Sequence, residues 1–345
     1  MELYLIRHGE TVDNVAGLYA GVRDSALTNH GVEQTQRLGR FFQQQDVRFS
    51  HIFSSTLSRA RRTAEAIASK QKWSKEPSSL QVLQVPELIE QDFGYYEGKT
   101  FQARANDKSS TQRERADGEP EFVDVESKES MMKRADGFLD EHLLPLFFED
   151  TKSHEAPLRV AVVSHGILLG HLWRRLLARL PAKSVTISPD VVSARGAIVL
   201  EHLGGWSNTG YLSLVFTERK SPSMTAVKTE TNTLATTTGR EASTESSDTV
   251  TLTSASLISV TPTPVATSSR KAHVMLVGWT ARINAIDSKQ HLTGLKRQRG
   301  GIGSLAHDQG QQRLESFFKR QKKEIDPSAA KPVFQISTHA RAAQA

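Results

Sequence analysis

Two apolar runs constrain this chain more than any other feature, because both end the same way. Residues 3–6, LYLI, run into Arg7-His8-Gly9, and residues 159–163, RVAVV, run into Ser164-His165-Gly166. A run with no polar alternation has no solvent face, so each reads as a strand buried on both sides, as in a parallel sheet sandwiched by helices. Helical patterns occupy the intervals, at 31–44, 57–69, about 127–148 and 167–180. The third of these carries Met131, Ala135, Phe138, Leu139 and Leu143 close to a 3.6-residue period. Further strands are expected at 51–54, 80–85, 197–203 and 211–216. The expected fold class is α/β, a three-layer arrangement with a central, mainly parallel sheet and helices on both faces, over residues 1–220.

Such sheets bind ligands at the carboxyl ends of their strands. A strand ending at Ile6 delivers Arg7 and His8 to that edge, and Gly9 lets the backbone turn and a ligand come close. The strand ending before His165 brings a second histidine there, together with the positive end of the following helix. The stretch FSSTLSRARRTAEAIA adds Arg59 in the first turns of the helix after strand 51–54. Two imidazoles and two guanidiniums on one edge call for an anionic guest, and a phosphoryl group fits. Arginine's planar fork matches phosphate oxygens, and a neutral imidazole can serve as nucleophile. Positioning and charge neutralisation, the main requirements of phosphoryl transfer, are then met without a metal. A leaving alkoxide also needs a proton. The segment VPELIEQDFGYYEGKT offers Glu87, Glu90, Asp92 and Glu97. Glu90 is the choice for general acid, although spacing alone does not separate it from Glu87.

Composition sets the surroundings. The chain has 345 residues and no cysteine, which excludes thiolate nucleophiles, disulfides and cysteine zinc sites and fits a reducing compartment. No apolar run approaches the ~20 residues of a membrane span, and the first six residues are too short for a signal peptide. The expectation is a soluble protein of the cytoplasm or nucleus. The net charge of +6 is unevenly spread, with acidic residues exceeding basic ones by one in 1–220 and basic exceeding acidic by eight in 271–345. Residues 221–270 are rich in Ser and Thr and lack aromatics, so they read as a disordered linker. Residues 271–345 read as a basic, mostly disordered tail, in which Val274, Leu276 and Val277 offer one short strand. Residues 101–126 are polar and aperiodic, an excursion above the sheet of the kind that caps a substrate site. Within it Lys108, Arg113 and Arg115 read as solvent-facing.

RHGET at 7–11 with Asn14, then GVRDSALTNHGVEQ, SSTLSRARRTA, LIEQDFGYYEG and VVSHG, occur in the order of the motifs of the histidine phosphatase superfamily, also called the phosphoglycerate mutase-like family, which this sequence resembles over residues 1–220. The resemblance implies the α/β fold and a two-step reaction through a phosphohistidine, with no cofactor. It makes His8 the nucleophile and Arg7, Arg59 and His165 the phosphate pocket. Asn14 becomes an auxiliary phosphate contact, the Gly166 amide a donor at the helix start, and Glu90, which precedes the DFGYYEG segment, the proton donor in preference to Glu87. The mutase branch carries a tryptophan before the asparagine of its first motif, a glutamate-arginine-histidine-tyrosine stretch at the acid, and an asparagine after the second histidine-glycine. Here Asp13, EQDFG at 90–94 and Ile167 stand in those places, so the sequence is more similar to the phosphatase branch. The expected substrate is a small phosphomonoester, and the catalytic domain is expected to bind no nucleic acid.

The tail carries a second resemblance. Gln311, Leu314, Phe317 and Phe318 have the spacing Q-x-x-L-x-x-F-F, similar to the motif by which replication and repair proteins bind the sliding clamp, PCNA. Residues three apart share a face of a 3₁₀ turn, so Leu314 and Phe317 can enter an apolar pocket with Phe318 beside them, while Gln311 makes a polar contact. Lys319, Arg320, Lys322 and Lys323 would suit an acidic rim. The clusters LKRQR and FKRQKK have the composition of nuclear import signals. Two alternatives stand beside the phosphatase reading. One is mutase-type phosphoryl transfer, and the other a clamp-associated interaction protein whose catalysis is vestigial.

Overall fold

The computed structural model describes residues 1–71, 80–106, 124–149, 157–219, 273–299 and 301–308. The linker assigned to 221–270, the tail motif at 311–318, and Lys108, Arg113 and Arg115 lie outside the described residues. Met1–Ala306 fall in one compact unit, and the chain from His307 onward is separate from it.

In the first unit the chain runs β1 (Glu2–Arg7), α1 (Val12–Ala16), α2 (Asn29–Gln44), β2 (His51–Ser54), α3 (Ser58–Ala68), β3 (Val82–Gln84), α4 (Phe101–Asn106) and α5 (Lys128–Phe138). It continues through β4 (Arg159–Ser164), α6 (Gly166–Arg179), β5 (Val185–Ile187), α7 (Pro189–Arg195), β6 (Tyr211–Glu218) and β7 (Trp279–Ser288). The seven strands make one sheet in the order β3-β2-β4-β1-β6-β7-β5. Only β6 runs against the others. The expected mainly parallel sheet is therefore present.

The apolar runs behave as buried strands because the pleat sends alternate residues into two cores. Leu3, Leu5, Val160 and Val162 face a core built with α5 and α6, where Met131, Phe138, Leu172 and Trp173 are buried. Tyr4, Ile6, Ala161 and Val163 face the opposite core, with Leu38 and Phe42 of α2 and Ala60, Ala64 and Ile67 of α3. The long helix expected over 127–148 is α-helical only to Phe138. It passes into a π turn, Leu139–Leu143, and a 3₁₀ turn, Leu144–Phe147, because Pro145 has no amide to continue the ladder. The strand expected at 197–203 is absent. Those residues form a loop with a single bridge between Val199 and His202.

The largest correction concerns the domain boundary at 220. The sheet does not end with β6, since β7 comes from 279–288, a part of the chain assigned above to the basic tail. It pairs antiparallel with β6 and parallel with β5, and among the described residues no other strand pairs with β5. Ala281 and Ile283 are fully buried in the α5–α6 core. The short strand expected around 274–277 is instead an irregular approach with Leu276 buried. Past β7 the chain returns across α2. Thr28 bridges to Ala306, Asn29 donates to the carbonyl of Ile302, and Arg297 pairs with Glu10.

Candidate active site

Register decides what meets at the sheet edge. In the parallel pair β1–β4, Arg7 is opposite Ser164, so the next residue of each strand, His8 and His165, emerges side by side. Their ring centroids are 5.0 Å apart. On the other flank of β4, Ser54 is opposite Val163, which brings Ser55 to the same level. Ser55 Oγ lies 2.9 Å from His165 Nε2.

Each imidazole has one nitrogen committed by its surroundings. His8 Nδ1 is 2.7 Å from the carbonyl of Gly9, an acceptor, so the proton sits on Nδ1 and Nε2 carries the lone pair. Arg59 Nε donates to His165 Nδ1 at 3.2 Å, so the His165 proton is on Nε2, facing Ser55. Both rings are buried. Burial first, then the positive charge of Arg59 and Arg7, holds His8 well below its ordinary 6.5. His165 is lowered in the same direction by burial and by Arg59. Both are neutral at pH 7, the state in which an imidazole can attack.

The arginines take different posts. Arg59, in the first turn of α3, is 1% exposed. Besides its bond to His165, it donates Nη1 to the carbonyl of Arg23 and Nη2 to those of Ala20 and Gly21. It thereby fastens the 20–24 loop beneath the histidines. Arg7 donates Nη1 to the carbonyl of Trp206 at 2.6 Å, while its buried Nε has no partner among the described residues. Asn14 is fixed through Oδ1, which accepts from Asn208 Nδ2 at 3.0 Å and from the Thr11 amide at 3.2 Å.

Glu90 sits at the start of α6. Its carboxylate accepts from the amides of Ile167, Leu168 and Gln91 at 3.1, 3.0 and 2.9 Å. It thus caps a helix that has no side-chain cap of its own. The Gly166 amide, first of that helix, has no acceptor among the described residues. Glu90 lines the cleft, whereas the side chain of Glu87 lies against Gly137 of α5. Arg134 of α5 holds this segment from behind, donating to the carbonyls of Glu87, Ile89 and Glu90 and pairing with Glu126 at 2.7 Å.

These residues surround a cleft of about 470 Å³ lined by Arg7, His8, Asn14, Glu90 and Gly166. One wall is aromatic, with Tyr19 packed on Phe93 at 4.4 Å and on Phe101 at 4.8 Å between ring centroids. Arg174 and Trp206 line it elsewhere. All the sequence-derived residues of the catalytic set therefore meet at one edge. Ser55, Arg134, Trp206 and Asn208 were missed. Ser55 lies within a motif that was read for its arginine, and the other three act through partners remote in sequence. Among the described residues there is no group of acidic residues and histidines that could hold a metal ion, and no helix long and apolar enough to cross a membrane.

A mainly parallel sheet that gathers two neutral histidines and two arginines at its carboxyl edge, beside one cleft, defines a narrow class of α/β proteins. Residues 3–194 match the histidine phosphatase superfamily (branch 1), and the chain belongs to that family. It is 36% identical over 180 residues to a probable phosphatase of Schizosaccharomyces pombe, a match covering 51% of this chain and 56% of that protein. The chain thus spans little more than half the length of the fission yeast protein. It is 33% identical over 187 residues to a probable phosphoglycerate mutase of Erwinia tasmaniensis, covering 53% of this chain and 78% of that one. Among solved structures, a mycobacterial glucosyl-3-phosphoglycerate phosphatase aligns at 24% identity with a TM-score of 0.45, over 62% of this chain and 89% of its own.

Proposed function

We propose that this protein is a phosphomonoester hydrolase working through a phosphohistidine on His8, with no metal in the reaction. The observation that carries the reading is the His8 ring, neutral, with its Nδ1 proton engaged by Gly9 and its Nε2 without a partner among the described residues, beside Arg7 and the start of α6. In the first step the Nε2 lone pair attacks phosphorus, the bond to the ester oxygen breaks, and Glu90 serves as the proton donor to the departing oxygen. In the second, Glu90 takes a proton from water as the water oxygen attacks phosphorus. The phosphorus–nitrogen bond breaks, and inorganic phosphate and free His8 result.

Arg7 supplies its unpartnered Nε, with the Gly166 amide beside it, to the equatorial oxygens. Asn14 is an auxiliary contact. Arg59 and His165 complete the positive floor, Arg59 by its charge and His165 by orienting it. Both histidines lie inside a set of guanidiniums that an incoming phosphoryl group neutralises.

Similarity to a probable phosphoglycerate mutase keeps one alternative, transfer of the phosphoryl group back to a phosphoglycerate rather than to water. Asp13, the 90–94 segment and Ile167 favour water, because they replace the residues of the mutase branch. Purified protein should release phosphate from p-nitrophenyl phosphate, unaffected by EDTA, and His8→Ala should abolish the release. No release from any monoester, with isomerisation of phosphoglycerates, would install the mutase reading.

The tail motif is proposed as an address. Gln311, Leu314, Phe317 and Phe318 fill all four positions of a clamp-binding box and a basic run follows them, so PCNA is the proposed partner and the nucleus the proposed location alongside the cytoplasm. A vestigial catalytic domain serving only that interaction is disfavoured by the complete catalytic set.

A further inference from the structure

Helix α6 carries three arginines near its middle and end, and two of them are neutralised. Arg175 pairs with Asp136 at 2.8 Å, and Arg179 pairs with Asp136 at 2.7 Å and Asp140 at 3.2 Å. Arg174 has no hydrogen bond or ion pair among the described residues, and it alone of the three lines the catalytic cleft. Helical side chains lean toward the N-terminus, and this one lies back over Gly170. Its Nη1 is 3.6 Å, and its Nη2 3.8 Å, from the point a Cβ would occupy there. Gly170 is one turn from Gly166, so the guanidinium stands about 6 Å along the helix axis from the helix start where the phosphoryl group is placed. Of the described residues lining the cleft, Arg7 and Arg174 are the only cations and Glu90 the only acid, and Glu90 is occupied by backbone amides. The outer cation thus has no counter-charge among the described residues of the cleft wall. Across from the helix stand Tyr19, Phe93 and Phe101, which offer the substrate's carbon skeleton an apolar face.

We infer that Arg174 is a specificity-determining residue, recognising a second anionic group, carboxylate or phosphate, on a phosphomonoester whose first phosphate sits at His8. This rests on the hydrolase reading above. A charge-assisted hydrogen bond to a guanidinium discriminates between a charged and an uncharged group by about tenfold to a hundredfold.

The test compares matched substrates. 3-Phosphoglycerate is set against glycerol 3-phosphate for the carboxylate, fructose 1,6-bisphosphate against fructose 6-phosphate for the second phosphate, and p-nitrophenyl phosphate reports basal hydrolysis. The wild-type protein should favour at least one doubly anionic member over its partner by tenfold or more in kcat/KM. Arg174→Gln should reduce that preference at least tenfold, mainly through KM, and Arg174→Lys should restore part of it. The pair that responds tells carboxylate from phosphate. Hydrolysis of p-nitrophenyl phosphate that depends on His8, with neither pair discriminated or with discrimination untouched in Arg174→Gln, overturns the inference and leaves the hydrolase reading standing. Absence of phosphate release from every compound removes both.

Discussion

Among the described residues His8 leaves one ring nitrogen without a partner and His165 leaves none, and the roles proposed for them rest on that difference. The lone pair of His8 is directed away from Gly9, whereas both nitrogens of His165 are engaged, by Arg59 and Ser55. His8→Ala should therefore lower phosphate release by at least about 10³-fold. Ser55→Ala should cost far less, by loosening one bond to a ring that keeps its other partner. Proton linkage follows from the same burial. Both imidazoles are depressed in the folded state, so the unfolded chain binds more protons below its ordinary value of 6.5. Their contribution to stability is fully present above about pH 6.5 and falls as the pH drops below it. The acid limb of kcat/KM should lie well under pH 6.5, and urea midpoints should decline over the same range. A midpoint that rose on acidification would contradict the neutral assignment.

The elements most readily read from the sequence were those whose pattern is local. The runs at 3–6 and 159–163, the amphipathic α2 and the short α3 carry their own periodicity, and the His-Gly endings mark where strands stop. β7 was not legible because its neighbours in space, β5 and β6, are distant in sequence, and its burial pattern is irregular. Its basic flanks read as tail, yet Asp287 accepts from the Ser207 amide and hydroxyl, both at 2.8 Å, next to Asn208. A Cβ on Gly210 would displace that carboxylate from its place beside Ser207. β7 thereby supports the loop that reaches Asn14. Removing the chain after residue 220 would strip β5 of its partner and expose Leu214 and Phe216 on β6. The truncated chain should be insoluble or molten. Ile283→Ala, a fully buried position, should cost about 2–5 kcal/mol in urea unfolding. A soluble, cooperatively folding 1–220 fragment with full activity would show that the return strand is dispensable. The pairing of Arg297 with both oxygens of Glu10 is partly exposed, so Arg297→Ala should cost only about 1 kcal/mol by the same measurement.

At the scale of the whole molecule, the proposed catalysis and the proposed address fall on separate parts of the chain. The residues around the cleft all lie in Met1–Ala306, and the box at 311–318 lies outside that unit. Phe317→Ala with Phe318→Ala should abolish micromolar binding of the tail peptide to PCNA while phosphate release by the full chain persists. Equal binding by the native and substituted peptides would remove the address. The chemical centre has a more direct test. After brief incubation with a labelled phosphomonoester and a rapid quench, the wild-type protein should hold an acid-labile, base-stable phosphoryl adduct on His8, and His8→Ala should hold none. Turnover with no such adduct, or undiminished release by His8→Ala, would contradict the account.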